Sequence, residues 1–422
     1  MSHSTALSAR HLTFRFAARA ALLVTLCAGA MVAVAQPGAV PAGAPATADN
    51  TLKIGVIGPF TGPSSDFGLP MFNGIQMAVD EINAGGGYLS RKLQIVQKDD
   101  QANPDVGLLM SQALVAEKVV ATLGFCNTGV AAKSLSVYQD GRVPLIIPCA
   151  TGTPLTAKFP AASSYVFRTS PRDSIQAPFV VEDLIKRDLT RVAIFADTTG
   201  YGEAGLKDVE AALATRNLKP VHVARFALGV KDLSDDMKAA KAAGANAVFS
   251  YTVGTENAVI ARARRTLNWN VPQVGAWPLS FPSFIDGAKE AAEGARMSQT
   301  FIAEPSNERR SSFLTSYARR YNVKKMPVPM AAAQGYDAVY ILVYSMFGIR
   351  NGDLSGASVK AALENMPKTY YGVTATFEKP FSLTDKDATT ANMLVMGVVQ
   401  NGAVSFAYPD DAKRNLFVQR KQ

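Results

Sequence analysis

Three short turns carry most of the polar chemistry this sequence offers. They are Thr61-Gly62-Pro63-Ser64-Ser65-Asp66-Phe67-Gly68, Cys126-Asn127-Thr128-Gly129 and Cys149-Ala150-Thr151-Gly152-Thr153. Each follows an apolar run and leads toward an amphipathic one. A helix start presents free backbone N–H groups and a positive dipole end, and neighbouring hydroxyls and amides add donors, so such a turn can hold a carboxylate. The plainer alternative is that these side chains only cap helices. Three such turns on the same edge of one sheet favour a site. A second set, later in the chain, is aromatic. Tyr201 stands in Asp197-Thr198-Thr199-Gly200-Tyr201-Gly202, Tyr251 and Thr252 end one apolar run, and Trp277 ends another. A polar set facing an aromatic set would grip the charged end and the body of a small molecule. The candidate contacts are Phe67, Asn127, Thr128, Cys149, Ala150, Thr151, Tyr201, Tyr251, Thr252 and Trp277.

Catalytic constellations are thin. Once His3 and His11 are set aside with a basic leader, one histidine remains, His222, in an expected strand. A Ser-His-Asp arrangement would need it, and no G-x-S-x-G elbow is present. No phosphate-binding glycine loop follows a strand; Gly55 and Gly58 have the wrong spacing. No His/Cys cluster suits a metal. Asp99-Asp100 is an acidic pair at a strand end that reads more readily as a turn-capping pair than as paired catalytic carboxylates. The expectation is a non-enzyme with no cofactor and no metal.

The elements that must position the turns alternate in period. Lys53–Gly58 reads as a buried strand, and Met71–Asn83 has apolar residues at helical spacing. Leu93–Gln97, Val119–Phe125 and Val143–Ile147 read as further strands. Asn103-Pro104 is a helix start with a capping side chain and Pro at the first position. The pattern then restarts, with strands at Arg191–Ala196, Pro220–Phe226, Ala247–Tyr251 and Val271–Ala276 and helices between; Ser234 is placed to cap one of them. Such alternation implies parallel sheets with helices on both faces. Two runs of it imply two lobes. The last third is less regular: helices at Asn307–Tyr321 and Val328–Ile349, strands at Tyr370–Phe377 and Asn392–Val399, and a hairpin turn at Asn401-Gly402.

At 422 residues the chain suits two domains, and 48% hydrophobic against 18% charged is an ordinary globular mixture. Arg10, Arg15 and Arg19 precede an apolar run, Ala20–Val34, too short to span a bilayer, and Ala33-Val34-Ala35 offers a small-x-small cleavage pattern. Residues 1–35 are therefore expected to be a cleaved secretory signal and 36–50 a Pro/Ala-rich tether. The expectation is an exported, periplasmic chain cleaved near Ala35, with no stable membrane insertion. The formal charge of +9 falls to about +6 without the three leader arginines. With no basic stripe among aromatics, a nucleic-acid role is not expected. Two cysteines remain outside the leader, Cys126 and Cys149, and an exported chain permits one disulfide.

Taken together, the stretches KIGVIGPFTGPSSDFG, NGIQMAVDEINAGGG, KLQIVQKDDQANP, PLIIPCATGTPLT, YVFRTSPRD and IFADTTGYGEAG resemble the leucine/isoleucine/valine-binding protein family of periplasmic solute receptors, from about Leu52 to about Ala407. The resemblance implies an α/β type I periplasmic binding protein: two doubly wound parallel-sheet lobes joined by a three-strand hinge. Residues 51–169 with 301–377 would form the first lobe and 170–300 with 378–422 the second. Arg168-Thr169-Ser170-Pro171 would be the first crossover, with the others near Thr300 and Phe377. It also implies a monomer that captures a branched-chain amino acid or related small carboxylate by lobe closure and delivers it to an ABC transporter permease. An aromatic-acid or amide/urea-type binder, or a sensor subunit of the same fold, stays open as an alternative.

By the same resemblance, Asn127 and Thr151 fall on hydroxyl positions that hold the ligand carboxylate. Cys149 falls where a backbone carbonyl meets the ammonium, and Phe67 and Tyr201 on aromatic walls. Two departures matter. Trp277 stands where the family's amino-acid binders use an acidic side chain against the ammonium, and a buried ammonium without such a partner costs several kcal/mol; Glu256 or Asp66 are the available substitutes. Cys126 matches half of a family bridge whose other position, near Ala102 or Asn103, holds no Cys. A bridge from Cys126 to Cys149, at the ends of neighbouring strands, stays open.

Overall fold

The computed structural model describes residues 50–413 and 417–418, all within one unit, residues 49–422. The expected signal, 1–35, and nearly all of the expected tether lie outside the described residues. Five strands follow in order: β1 Thr51–Gly58, β2 Lys92–Asp99, β3 Thr122–Gly124, β4 Leu145–Ile147 and β5 Val166–Arg168. They form one parallel sheet in the order β2-β1-β3-β4-β5. Strands β6 Val192–Asp197, β7 His222–Phe226, β8 Ala247–Tyr251, β9 Gln273–Gly275 and β10 Arg296–Gln299 repeat that order as β7-β6-β8-β9-β10. The two runs of alternation are thus the same topology built twice. Strands β11 Tyr370–Tyr371 and β12 Ala375–Phe377 come next in the chain. The antiparallel pair β13 Val395–Gln400 and β14 Ala403–Phe406 then extends the second sheet beyond β10.

The central strands are buried along their length because helices cover both faces, which is why β6 and β8 read as continuous apolar runs. Helix Ser65–Ala84 lies on helix Pro329–Met346, and a side chain at Gly74 would meet the Ala332 carbonyl oxygen within 1.9 Å. Only glycine allows that crossing, which returns the late helix to the first sheet. Asn103 caps its helix as expected, accepting from the N–H groups of Asp105 and Val106 with Pro104 at the first position. The Asn401-Gly402 turn is also as expected, with φ of 52° and 69°.

Several expectations need correction. The run Tyr370–Phe377 is not one strand: β11 and β12 fold back on each other, and the Gly372 N–H donates to the Ala375 carbonyl. The C-terminal strand β15 Phe417–Val418 pairs with β12. Ser234 does not cap its helix from outside but opens it, and its hydroxyl donates to Asp232. Strand β10 was not legible because its sequence, Arg-Met-Ser-Gln, is polar. It is buried all the same because its polar groups are matched: Ser298 donates to Gln176 at 2.7 Å and Arg296 pairs with Asp183 at 2.9 Å.

The chain crosses between the sheets at Arg168–Asp173, at Gln299–Ile302 and at Lys386–Thr390, so the third crossing lies beyond Phe377. The first and third run side by side: the Arg168 N–H donates to the Lys386 carbonyl, the Ala388 N–H to the Arg168 carbonyl, and Thr389 Oγ1 to the Thr169 carbonyl. Arg168, fully buried, adds an ion pair of 2.6 Å to Asp387.

A disulfide joins Cys126 to Cys149 at the ends of β3 and β4, with Cα atoms 4.6 Å apart. It closes a short loop between strands already paired. Cys149→Ser is therefore expected to lower unfolding free energy by about 2 kcal/mol, at the lower end for a disulfide; denaturant titration of the oxidised protein and the variant measures it.

Candidate functional site

In sheets of order 2-1-3-4-5, ligands bind beyond the strand ends at the point where the order reverses. Here that point lies between β1 and β3 in one lobe and between β6 and β8 in the other. The turns after all four strands contribute to one cavity of about 310 Å³: Ser64 follows β1, Asn127 follows β3, Thr199 follows β6 and Val253 follows β8. The volume is at the low end of the roughly 300–1,000 Å³ typical of ligand sites and suits a small molecule.

The lobes are closed over it. Gly129, at the start of helix Thr128–Asp140, meets Gly200, the first residue of helix Gly200–Ala214: a Cβ on Gly200 would lie 3.2 Å from the Gly129 Cα. Thr153 Oγ1 donates to Asp208 of the other lobe at 2.7 Å. Phe67 stacks on Phe281 with centroids 4.9 Å apart and meets Trp277 edge-on at 6.4 Å.

The polar half of the cavity is built from two helix starts on opposite lobes. Asn127 precedes the first of these helices but makes no capping bond, so the opening N–H groups of that helix are left to the cavity. One end of the Asn127 amide reaches Ser64 Oγ at 3.4 Å, and the other is buried without a partner. Thr199 caps the second helix, accepting from the N–H groups of Tyr201 and Gly202. Thr128 accepts from the Gly152 N–H at 3.2 Å, which ties the second turn to the third. Arg168 donates to the carbonyls of Thr151 and Gly152, so the turn carrying Thr151 is anchored on the hinge. The other half is apolar: Phe67, Trp277, Phe281, Val253 and Pro278, with Leu228 half exposed.

Of the ten expected contacts, Phe67, Asn127, Thr128, Thr151, Tyr201 and Trp277 line the cavity. Cys149, Ala150, Tyr251 and Thr252 do not. Cys149, expected to offer its backbone carbonyl, is fully buried outside the cavity lining, with its sulfur in the disulfide. Ala150 donates its N–H to Phe125 and accepts from Ser170 Oγ at 2.7 Å. Tyr251 is fully buried behind Tyr201, its ring 4.9 Å away. The Thr252 carbonyl accepts from Asn257. Ser64, Gly129, Thr199, Gly200, Val253 and Phe281 were missed. The turn logic that selected Asn127 applies equally to Ser64 and Thr199, whereas the glycines and Phe281 carry no local signal.

Among the described residues no charged side chain lines the cavity. Neither substitute acid reaches it. Glu256 is turned away to accept from the Gly229 N–H at 2.7 Å. Asp66 faces Ser283 of the second lobe, and burial raises its pKa. Asp197, buried at the end of β6, accepts from the N–H and hydroxyl of Thr199. Asp99 stitches two turns, accepting from Phe60, Thr61 and Gln101, and Asp100 accepts from Ala102. His222 sits on edge strand β7, its ring 6.1 Å from Phe195 and away from the cavity. Among the described residues no group of acids, cysteines or histidines could hold a metal, and no helix is long and apolar enough to cross a membrane.

The model of a family described as periplasmic binding protein matches residues 51–403. The Leu/Ile/Val-binding protein homolog 3 of Brucella melitensis biotype 1 is 27% identical over 318 residues, covering 75% of this chain and 84% of that one. The Leu/Ile/Val-binding protein BraC3 of Rhizobium johnstonii is 30% identical over 293 residues, covering 69% and 77%. A solved solute-binding protein of an ABC transporter from R. palustris, in complex with benzoate, is 19% identical and superposes with a TM-score of 0.72, covering 85% of this chain and 95% of that one.

Proposed function

The chain belongs to the periplasmic binding protein family, and from that premise we propose that it captures a small carboxylate with an apolar, preferentially aromatic body and no ammonium group, closes on it, and delivers it to an ABC importer. One observation carries the choice of ligand: the uncapped helix start after Asn127 and hydroxyl-bearing residues from both lobes converge on a cavity that, among the described residues, no acidic side chain lines. A carboxylate finds donors there without a counter-cation. An ammonium would be buried with no carboxylate beside it, at a cost of several kcal/mol. Phe67, Trp277 and Phe281 offer edges and faces to a ring. The benzoate held by a protein of the same fold supports this reading, while the Leu/Ile/Val binders among its relatives support a branched aliphatic body.

The Leu/Ile/Val-binding proteins among the relatives support binding without turnover. Partnership with a permease and residence in the periplasm follow the family. Closure is then the response to ligand, which shifts a two-state equilibrium by its preference for the closed form.

Calorimetry with benzoate, 4-methylpentanoate and L-leucine tests the proposal. The two carboxylates are expected to bind at least tenfold more tightly than leucine. Leucine binding tighter than 4-methylpentanoate, its counterpart without the ammonium, would sink it. In the same assay Thr151→Val is expected to weaken carboxylate binding by about 1–3 kcal/mol, through a lost hydrogen bond to a charged group. Unchanged affinity would remove Thr151 from the site.

A further inference from the structure

The cavity reaches the surface between two turns to which the carboxylate reading gives no task. Ala102 and Pro104 line it from the turn after β2, and Leu228 lines it from the turn after β7. Strands β2 and β7 are edge strands, equivalent in the two runs of the same topology. Phe67, Thr151, Trp277 and Phe281, in the same cavity, are buried, whereas Pro104 is exposed and Leu228 is 47% exposed. An exposed leucine on a surface turn commonly stands alone; this one belongs to the cavity wall. The closed cleft therefore has an apolar mouth with one lip from each lobe.

Both lips are fixed in uncommon backbone conformations. Gln101 and Ala102 stand in the left-handed region, with φ of 54° and 55°, although neither is glycine. Their N–H groups are taken by the two preceding acids: Asp99 accepts from Gln101 at 2.9 Å, and the fully buried Asp100 accepts from Ala102 at 2.8 Å. The Asn103 N–H closes the same turn on the Asp100 carbonyl at 2.8 Å, and Pro104 then opens its helix. On the other lobe Gly229, directly after Leu228, has φ of 88°, and its N–H donates to the buried Glu256 at 2.7 Å. Backbone of this kind persists only where the surroundings over-determine it, and such places cluster at ligand clamps.

We infer that the Leu228 turn and the Gln101–Pro104 turn form a second subsite that selects the length of the ligand's apolar body: the site takes carboxylates whose chain reaches the mouth. This deepens the carboxylate reading and rests on it. A carboxylate held at the helix start after Asn127 fixes one end of the ligand. The rest of the ligand then either ends inside the cavity or follows apolar surface outward, and Val130 and Val253 add such surface to the same lining. Each methylene that leaves water against Leu228 and Pro104 adds affinity. Leu228 is therefore a specificity-determining residue. Glu256, which holds the Gly229 N–H, is a positioning residue that acts through it.

Titration calorimetry of the full chain with butanoate, hexanoate and octanoate reads the length dependence at a constant head group. Affinity is expected to rise by roughly tenfold or more from butanoate to octanoate. Leu228→Ser, on an exposed turn, is expected to cut that ratio by roughly fivefold or more. Glu256→Ala is expected to cut it too, while Glu256→Gln, whose amide oxygen still accepts from Gly229, keeps it. A merely structural role would lower all the affinities alike and leave the ratio unchanged. Octanoate binding no tighter than butanoate overturns the inference, as does a Leu228→Ser variant with the wild-type ratio. The wild-type series needs no variant, so a poorly folding Glu256→Ala leaves the inference exposed. Benzoate bound with no alkanoate bound also overturns it and leaves the carboxylate reading standing. Failure of benzoate, 4-methylpentanoate and every alkanoate alike overturns that reading itself, and the mouth subsite with it.

Discussion

Gly200→Phe is expected to weaken ligand binding at least 100-fold while leaving the unliganded protein as stable as the wild type. Gly200 is the first residue of its helix and does not use the left-handed backbone region, so a side chain there carries no conformational penalty within its own lobe. What it lacks is room across the cleft. A Cβ alone would stand 3.2 Å from the Gly129 Cα and 3.4 Å from its nitrogen. A phenyl ring has nowhere to go unless the lobes part. They cannot part without losing the stacking of Phe67 on Phe281 and the bond from Thr153 to Asp208. Apparent affinity falls in proportion to the closed population, and a 100-fold loss corresponds to about 2.7 kcal/mol. Gly200→Ala should fall between the two, since its Cβ needs only a slight shift. Titration calorimetry reads the affinity and small-angle scattering the closure. Wild-type affinity with normal compaction on binding would show that the glycine contact does not govern closure.

The second large effect is expected from Trp277→Glu, which should weaken carboxylate binding about 1,000-fold, or roughly 4 kcal/mol. Trp277 is almost fully buried, edge-on to Phe281 at 4.7 Å and to Phe67 at 6.4 Å. Glutamate there removes part of the apolar wall and brings an anion into a small cavity that is to receive another anion. At a few ångströms and reduced dielectric, like charges repel by several kcal/mol. Trp277→Gln separates the causes, because it loses the same ring without adding charge. The glutamate variant should bind benzoate at least tenfold more weakly than the glutamine variant at pH 8 and approach it as pH falls toward 5, because burial and the neighbouring anion raise the pKa of the new acid. The same change supplies an acid for an ammonium, so leucine should gain relative to 4-methylpentanoate. If the two variants bind benzoate equally across that pH range, the charge of the cavity does not select its ligand.

Much of this molecule is written in local pattern. The alternation of apolar and amphipathic runs is a property of neighbouring residues, and it yields parallel sheets wherever both strand faces must be covered, as at β1, β6 and β8. The cap at Asn103-Pro104 and the turn at Asn401-Gly402 are local as well. Strand β10 shows the limit. Its polar sequence is buried only because Gln176 and Asp183, far earlier in the chain, meet it with matched groups. The site divides in the same way. Asn127, Thr128 and Thr151 were legible because a strand end leading into a helix start exposes donors whatever else surrounds it. Tyr251 and Thr252 were misplaced because the same turn grammar does not say which way a strand's last side chain points.

By itself, then, the sequence determined the two-lobed parallel architecture, the turns that could bind an anion, and membership of a family of solute receptors. Only the tertiary structure decided which turn residues look into the cleft, that among the described residues no acid lines it, and that Gly129 and Gly200 meet across it. The physical reason is range. Backbone pattern and capping act within a few residues, whereas the polarity of a cleft depends on which side chains two separately folded sheets bring together once the hinge has set their orientation.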